Sequence, residues 1–377
     1  MPSPNYTRCR CLPAAPRVRR ASAFTLIELL VVIAIIVVVI SIVLPALAGA
    51  RDVARKTATQ QLITNITNAA TVFSQDEGRS PGYFTPTEMG DRANGNTRGM
   101  TAMQNAMLDL AGGIAADPND GDAILVGPAP TEAGQVPVRV DTIGIDTNES
   151  GAYFVPDTKY YQPQTDAGKM GTAADEHREL PSVVDAWGTP MLLWVKNDAV
   201  DGSRFDVPNA AAASGVPFVR RDAGVVSLGR YEPAAFYVAA NQSLLSATSL
   251  GVKGRDHADT SGSTFSLIGS GVSDTAREQT LTALLGHPAY PDDLAKSDAQ
   301  QVAPTNARGS FVVQSAGSDG WYLSAKRAGS FYTGSEGNAQ ITYASMFFGP
   351  GGTDRYENNE TRDIMQAFDD LVGTAGN

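Results

Sequence analysis

"AFTLIELLVVIAIIVVVISIVLP", residues 23–45, sets a single carboxylate, Glu28, near the front of an otherwise almost pure hydrocarbon run. From Leu29 through Ala50 there are 22 residues without a charge. As a helix rising roughly 1.5 Å per residue, such a run reaches about 33 Å, close to the roughly 30 Å hydrocarbon core of a bilayer. Val and Ile dominate it, a mediocre composition for a helix in water. Lipid, however, offers no partner to a bare peptide group, so a helix is the only single-segment solution there. A carboxylate buried in such a helix costs at least about 2.5 kcal/mol on insertion scales. Glu28 therefore calls either for a place at the headgroups or for a cation to meet it.

The flanks are unequal. The first 23 residues hold Arg8, Arg10, Arg17, Arg19 and Arg20 and no acid, the positive flank expected on the cytoplasmic side. Without them, 24 basic and 40 acidic residues leave a net charge of −16. So acidic a body repels phosphate backbones, which argues against nucleic acid as a partner. With 377 residues, 42% of them apolar, the chain has material for a real core and is not a disordered protein. Both cysteines, Cys9 and Cys11, precede the apolar run. If the leader is removed, a disulfide framework, a cysteine zinc site and a thiol nucleophile go with it.

Ala23-Phe24-Thr25-Leu26-Ile27-Glu28-Leu29 after a basic leader resembles the processing site of type IV prepilins and type II secretion pseudopilins. The resemblance implies cleavage by a prepilin peptidase between Ala23 and Phe24 and methylation of the new amino terminus. The family usually has Gly just before the cut, where this chain has Ala23. It also implies that Glu28 is an assembly contact, its carboxylate pairing with the free amino terminus of a neighbouring subunit. Such a pair relieves two desolvated charges together. Pro45 falls where the family commonly places a helix-loosening proline; it removes one backbone donor and clashes with the preceding turn. A rival reading lies in the same stretch. Ala48-Gly49-Ala50 has the small-x-small form of an ordinary signal-peptidase site, which would release a soluble protein beginning at Arg51.

After Arg51, Val53, Ala58, Leu62, Ile66, Ala69, Ala70 and Phe73 recur at helical intervals, and no Pro or Gly intervenes until Gly78. The expected plan is a leader at 1–23, a membrane and assembly helix at 24–50, an amphipathic continuation at 51–77 and a globular head at 78–377. In the head, "GMTAMQNAMLDLAGG" (99–113) reads as a helix and residues 112–182 as a loop-rich insertion. "DPNDGD" (117–122) lacks the acidic slots of an EF-hand and reads as an acidic turn. "DAWGTP" (185–190) reads as a turn into a strand at 191–196, with Trp187 as core anchor. It resembles a turn of the major, G-type pseudopilin. Further strands are expected at 216–220, 235–239, 310–315, 321–325 and 341–347. A helix is expected at 272–286, capped by Ser273 or Asp274 and stopped by Gly286, and an amphipathic helix over 358–373 near the C-terminus.

"FVVQSAGSDGWY" (311–322) resembles the strand and turn that build a calcium site in G-type pseudopilins. Carried over residue by residue, the resemblance gives Ser315, Asp319 and, much farther along, Asp363 as ligands of calcium. The alternative for Asp363 is a place in the first turn of a helix, where its charge suits the dipole. Catalysis has little footing: His177, His257 and His287 stand in polar, loop-like contexts without HExxH, GxSxG or phosphate-loop neighbours.

The expectation is thus an α+β, pilin-like fold, its long N-terminal helix packed on an antiparallel sheet with large loop-rich insertions and a C-terminal helix. The chain is expected to be no enzyme but a structural, single-pass inner-membrane subunit with an extracytoplasmic head. Its implied partners are homologous pilin or pseudopilin subunits, prepilin peptidase, an inner-membrane assembly platform and membrane lipid. The alternative is an acidic binding domain or hydrolase, membrane-anchored or released by ordinary signal peptidase.

Overall fold

The structure, a computed structural model, describes residues 25–89, 98–117, 121–129, 134–140, 143, 151–163, 180–196, 236–237, 239–291, 294, 302–331, 333–349 and 362–376. The chain divides into two compact units, Met1–Arg51 and Asp52–Asn377. Helix α1 (Leu26–Glu77) begins in the first and ends in the second.

In the first unit every described residue is exposed, including Leu29, Val37, Ile42 and Leu44. A continuous apolar surface of this kind is costly in water and stable in hydrocarbon. It is the only stretch among the described residues that is both helical and apolar enough to cross a membrane. The helix runs through Pro45 without a break. The carbonyl of Ser41 nonetheless loses the amide donor that Pro45 lacks.

In the second unit, α1 turns Leu62, Ile63, Ile66, Ala69, Ala70 and Phe73 inward, as the 3.6-residue period requires. Val53, counted in that stripe, is 67% exposed and lies outside the core. Short helices α2 (Pro86–Met89) and α3 (Ala102–Leu110) follow. Thr101 caps α3 by accepting from the Gln104 amide at 3.1 Å, while the Gln104 side chain accepts from the Thr101 amide at 2.9 Å. This reciprocal box satisfies two orphan donors and fixes where the helix starts.

Two antiparallel pairs come next, β1 (Ile124–Val126) with β2 (Val136–Val138) and β3 (Tyr161–Pro163) with β4 (Pro181–Val183). The main sheet consists of β5 (Leu192–Lys196), β6 (Phe236–Tyr237), β7 (Phe311–Ser315) and β8 (Leu371–Ala375) in the antiparallel order β6-β5-β7-β8. Both of its faces are covered. Leu193, Phe311 and Val313 join the α1 and α3 residues in one core. Leu192, Trp194 and Val312 join a second core with α4 (Gln242–Leu245), α5 (Asp274–Leu285) and α6 (Ala325–Ala328). That is why all five residues of β7 are buried, the polar Gln314 and Ser315 included, rather than alternating between core and solvent. Where β8 crosses α1 the two come very close: a Cβ on Gly373 would lie 2.0 Å from Ile63 Cγ2.

The α+β class with a long N-terminal helix holds, and the structure corrects several elements. The expected C-terminal helix is a 3₁₀ turn at Ile364–Ala367 followed by strand β8. Its apolar residues have helical spacing, but β7 offers a five-position antiparallel ladder, and pairing with it overrides local propensity. Residues 321–325 form no strand; Tyr322 and Leu323 are buried in a turn, with Leu323 at φ 46°, ahead of α6. Residues 341–347 hold a 3₁₀ turn, Tyr343–Met346, in place of a strand. The strand expected at 235–239 shortens to β6 and then coils into a 3₁₀ turn, Ala239–Asn241. The strand expected at 216–220 lies outside the described residues. The helix read at 272–286 is α5, with Ser273 and Gly286 at its two caps.

Candidate functional site

Two regions were singled out by the sequence, and the structure treats them differently. At the N-terminus, Ala23 and Phe24 lie outside the described residues. Thr25 and Glu28 form the start of α1. The Glu28 carboxylate accepts from the Thr25 amide and from the Thr25 hydroxyl, both at 2.8 Å, while the Glu28 amide donates to Thr25 Oγ1 at 3.3 Å. This is the Thr-x-x-Glu arrangement of a capping box, repeated at Thr85–Glu88. Within a single chain, then, the carboxylate has local donors at a helix N-terminus, whose partial positive charge it complements. It is also fully on the surface, available to a cation from outside.

In the head, the structure joins the two turns that the sequence offered separately. The Ser315 hydroxyl donates to Asp185 Oδ2 at 2.7 Å, tying the end of β7 to the 185–190 turn. Asp185 Oδ1 accepts from the amides of Trp187 and Thr189, at 2.9 and 3.0 Å. Gly188, at φ 82°, closes that turn, a conformation that penalises any Cβ. Asp185 is 2% exposed, and burial pushes its carboxyl up to about 6 despite these hydrogen bonds. Trp187 packs in the α1 core as expected, and the Tyr322 hydroxyl donates to the Pro190 carbonyl at 2.5 Å.

Asp319 sits in the following turn, where its Oδ1 accepts from the Trp321 amide at 2.9 Å and its Oδ2 lies 3.8 Å from Arg327 Nε. Burial, followed by the neighbouring Asp369 charge, raises its pKa. Asp369 accepts from the Ser318 hydroxyl at 2.5 Å and from the Asp319 amide at 3.0 Å. Asp370, buried beside it, accepts from Gln314 Nε2 at 2.7 Å and from the Leu323 amide, and burial holds its pKa well above the usual carboxylate range.

Asp363 does not join this turn. It is gripped by Arg308 through two hydrogen bonds, at 2.5 and 2.9 Å, and also caps the 3₁₀ turn by accepting from the Met365 amide at 3.1 Å. The N-terminal-turn alternative for Asp363 is thus the one that its geometry follows. The donor set Ser315, Asp319 and Asp363 does not fit a calcium ion. The hydroxyl of Ser315 is spent on Asp185, and Asp363 already has a guanidinium as its cation. Among the described residues no three His, Cys, Asp or Glu side chains are grouped to hold a metal.

Sequence reading missed Asp369 and Asp370, hidden in a stretch read as helical, and missed the burial of His257. That histidine has no exposed surface and lies between Trp321 and Tyr322, ring centroids 5.1 and 4.8 Å away. Its Nδ1 is 3.3 Å from the Arg255 carbonyl, and Nε2 has no partner among the described residues. Burial holds its pKa down, at about 4, so the ring is neutral. His177 lies outside the described residues, and His287 accepts at Nδ1 from the Ala289 amide.

Residues 18–44 match the prokaryotic N-terminal methylation motif. The chain thus carries the prepilin-type signal, and the match covers the basic leader's end, Phe24, Glu28 and most of the apolar run. Comparison with curated proteins found no match, and comparison with solved structures found none either.

Proposed function

We propose that this chain is a structural subunit of a type II secretion pseudopilus or type IV pilus-like filament, assembled from the inner membrane by packing of its N-terminal helix. The observation that carries the reading is the methylation motif at 18–44, within which Phe24 and Glu28 stand four residues apart in the sequence. An apolar helix surface that no other described residue covers supports the same reading, since lipid before assembly and other helices after it are the environments that suit it. On this proposal prepilin peptidase cuts before Phe24, the head lies outside the cytoplasm, and the partners are other pilin-type subunits and an inner-membrane assembly platform. Joining of the 185–190 and 315–320 turns favours a head of the G-type pseudopilin kind. No catalytic role is assigned to the head.

The amine of Phe24 in one subunit and Glu28 of the next form the assembly contact on this proposal. Mass spectrometry of the mature N-terminus should find N-methylphenylalanine at position 24. Glu28→Ala should leave the protein in the membrane fraction and abolish its recovery in sheared filaments. A mature chain beginning at Arg51, or normal filaments from the Glu28→Ala variant, defeats the proposal.

A further inference from the structure

The turn after β7 gathers carboxyl groups. Asp319 lies in it, Asp369 hydrogen-bonds to it, and Asp185 and Asp370 hydrogen-bond to the strand leading into it. Carboxylates so placed need a counter-charge, and a divalent cation supplies one only if six to eight oxygens can turn toward it. Here the oxygens face N–H and O–H donors instead. Three basic residues approach from two other segments. The Arg255 Nε donates to the main-chain carbonyl of Asp319 at 3.1 Å, and its guanidinium carbon lies 5.6 Å from the centre of the Trp321 ring. Arg327, in α6, reaches Asp319 Oδ2 at 3.8 Å. Lys253 and Arg255 both pass over Gly320, whose absent Cβ would lie 3.7 Å from Lys253 Cδ and 3.5 Å from Arg255 Cγ. Lys253 also acts on Asp185 and Asp319 through its charge.

We propose that the counter-cation of the Ser315–Gly320 turn is supplied by the chain itself, by Arg255, Lys253 and Arg327, and that the head holds this turn without calcium. The loop at 250–257 then has a defined task. It lays two basic side chains across the junction of the 185–190 and 315–320 turns, the place where β7 is fastened to β5. Gly320, at φ 76°, leaves room for both stems. Arg255 does this with geometry a metal ion lacks, because its planar guanidinium bonds a carbonyl at its edge while its face lies near an indole.

The test is thermal unfolding of the full chain in detergent micelles, followed by tryptophan fluorescence, with calcium chloride or with a chelator. The wild-type midpoint should be the same in both. Replacing Lys253 and Arg255 together by Gln should lower it by a few degrees, on the scale of about 1–2 °C per kcal/mol lost for a chain of this length. Arg255→Lys, which keeps the charge, should lower it less. Should the double variant fail to fold, Arg327→Gln provides a milder loss, since that side chain is half exposed. A calcium-dependent rise in the wild type that disappears in Asp319→Ala overturns the proposal, and so does a double or Arg327→Gln variant as stable as the wild type.

Discussion

Acidification should act on this head in two opposed ways, and His257 allows them to be separated. Its imidazole packs against Trp321 and Tyr322, and among the described residues its Nε2 has no acceptor for a second proton. The folded pKa of about 4 lies below the ordinary 6.5, so the unfolded chain binds the proton first. The stability attached to the neutral ring is complete above pH 6.5 and drains away as pH falls toward 4. At about 1.4 kcal/mol per pH unit, the loss by pH 4 is about 3 kcal/mol. Asp185 runs the other way. Its folded pKa of about 6, raised from 3.8, makes the folded state gain relative stability as pH falls through 6, by a similar amount. The wild-type profile can therefore look flat between pH 7 and 4 while two large contributions cancel. Comparison with His257→Gln removes the ambiguity, because every carboxylate contribution is common to both proteins. In urea unfolding of the full chain in micelles, the difference in stability between wild type and variant should shift by about 3 kcal/mol from pH 7 to pH 4, in favour of the variant at the acid end. A difference that stays constant across that range refutes the assignment of a buried, neutral histidine.

Two further substitutions test the packing. Gly373→Ala should lower stability by about 1–3 kcal/mol in the same urea assay, since the new methyl group meets Ile63 Cγ2 and the helix and β8 must separate. Asp363→Ala should cost about 3 kcal/mol, because it leaves the largely buried Arg308 guanidinium without its carboxylate and uncaps a turn; Arg308→Met together with Asp363→Leu should recover much of that loss.

The long helix was legible because its signals are local: an uncharged run, then an apolar stripe with a 3.6-residue period ending before Gly78. Helix α5 was legible for the same reason, its period bracketed by Ser273 and Gly286. The region around 363–375 was not. Ile364, Met365, Phe368, Leu371 and Val372 carry helical spacing, yet the decisive partner is β7, more than fifty residues upstream, and nothing in the local pattern encodes it. His257 misled for a related reason. Its neighbours Asp256, Ala258 and Asp259 look like a solvated turn, and only the close approach of Gly269 and Gly271 to the backbone of residues 257 and 258 shows that the loop is pressed inward. Ser315 closes β7 and Asp319 lies in the turn that follows, so the resemblance named two residues that are neighbours in the fold. Asp363 was not placed there, since the basic partner that claims it, Arg308, carries no motif of its own.

The contact between Ile63 and Gly373 has a kinetic side. It joins segments about 300 residues apart in the sequence, whereas the β7–β8 ladder closes a loop of only about 60. The longer closure must be made before its reward, which makes the seating of β8 on α1 a late event in folding. Until then the apolar stripe of α1 around Ile63 lies open to its surroundings, and crowded nascent copies are at their stickiest in that interval.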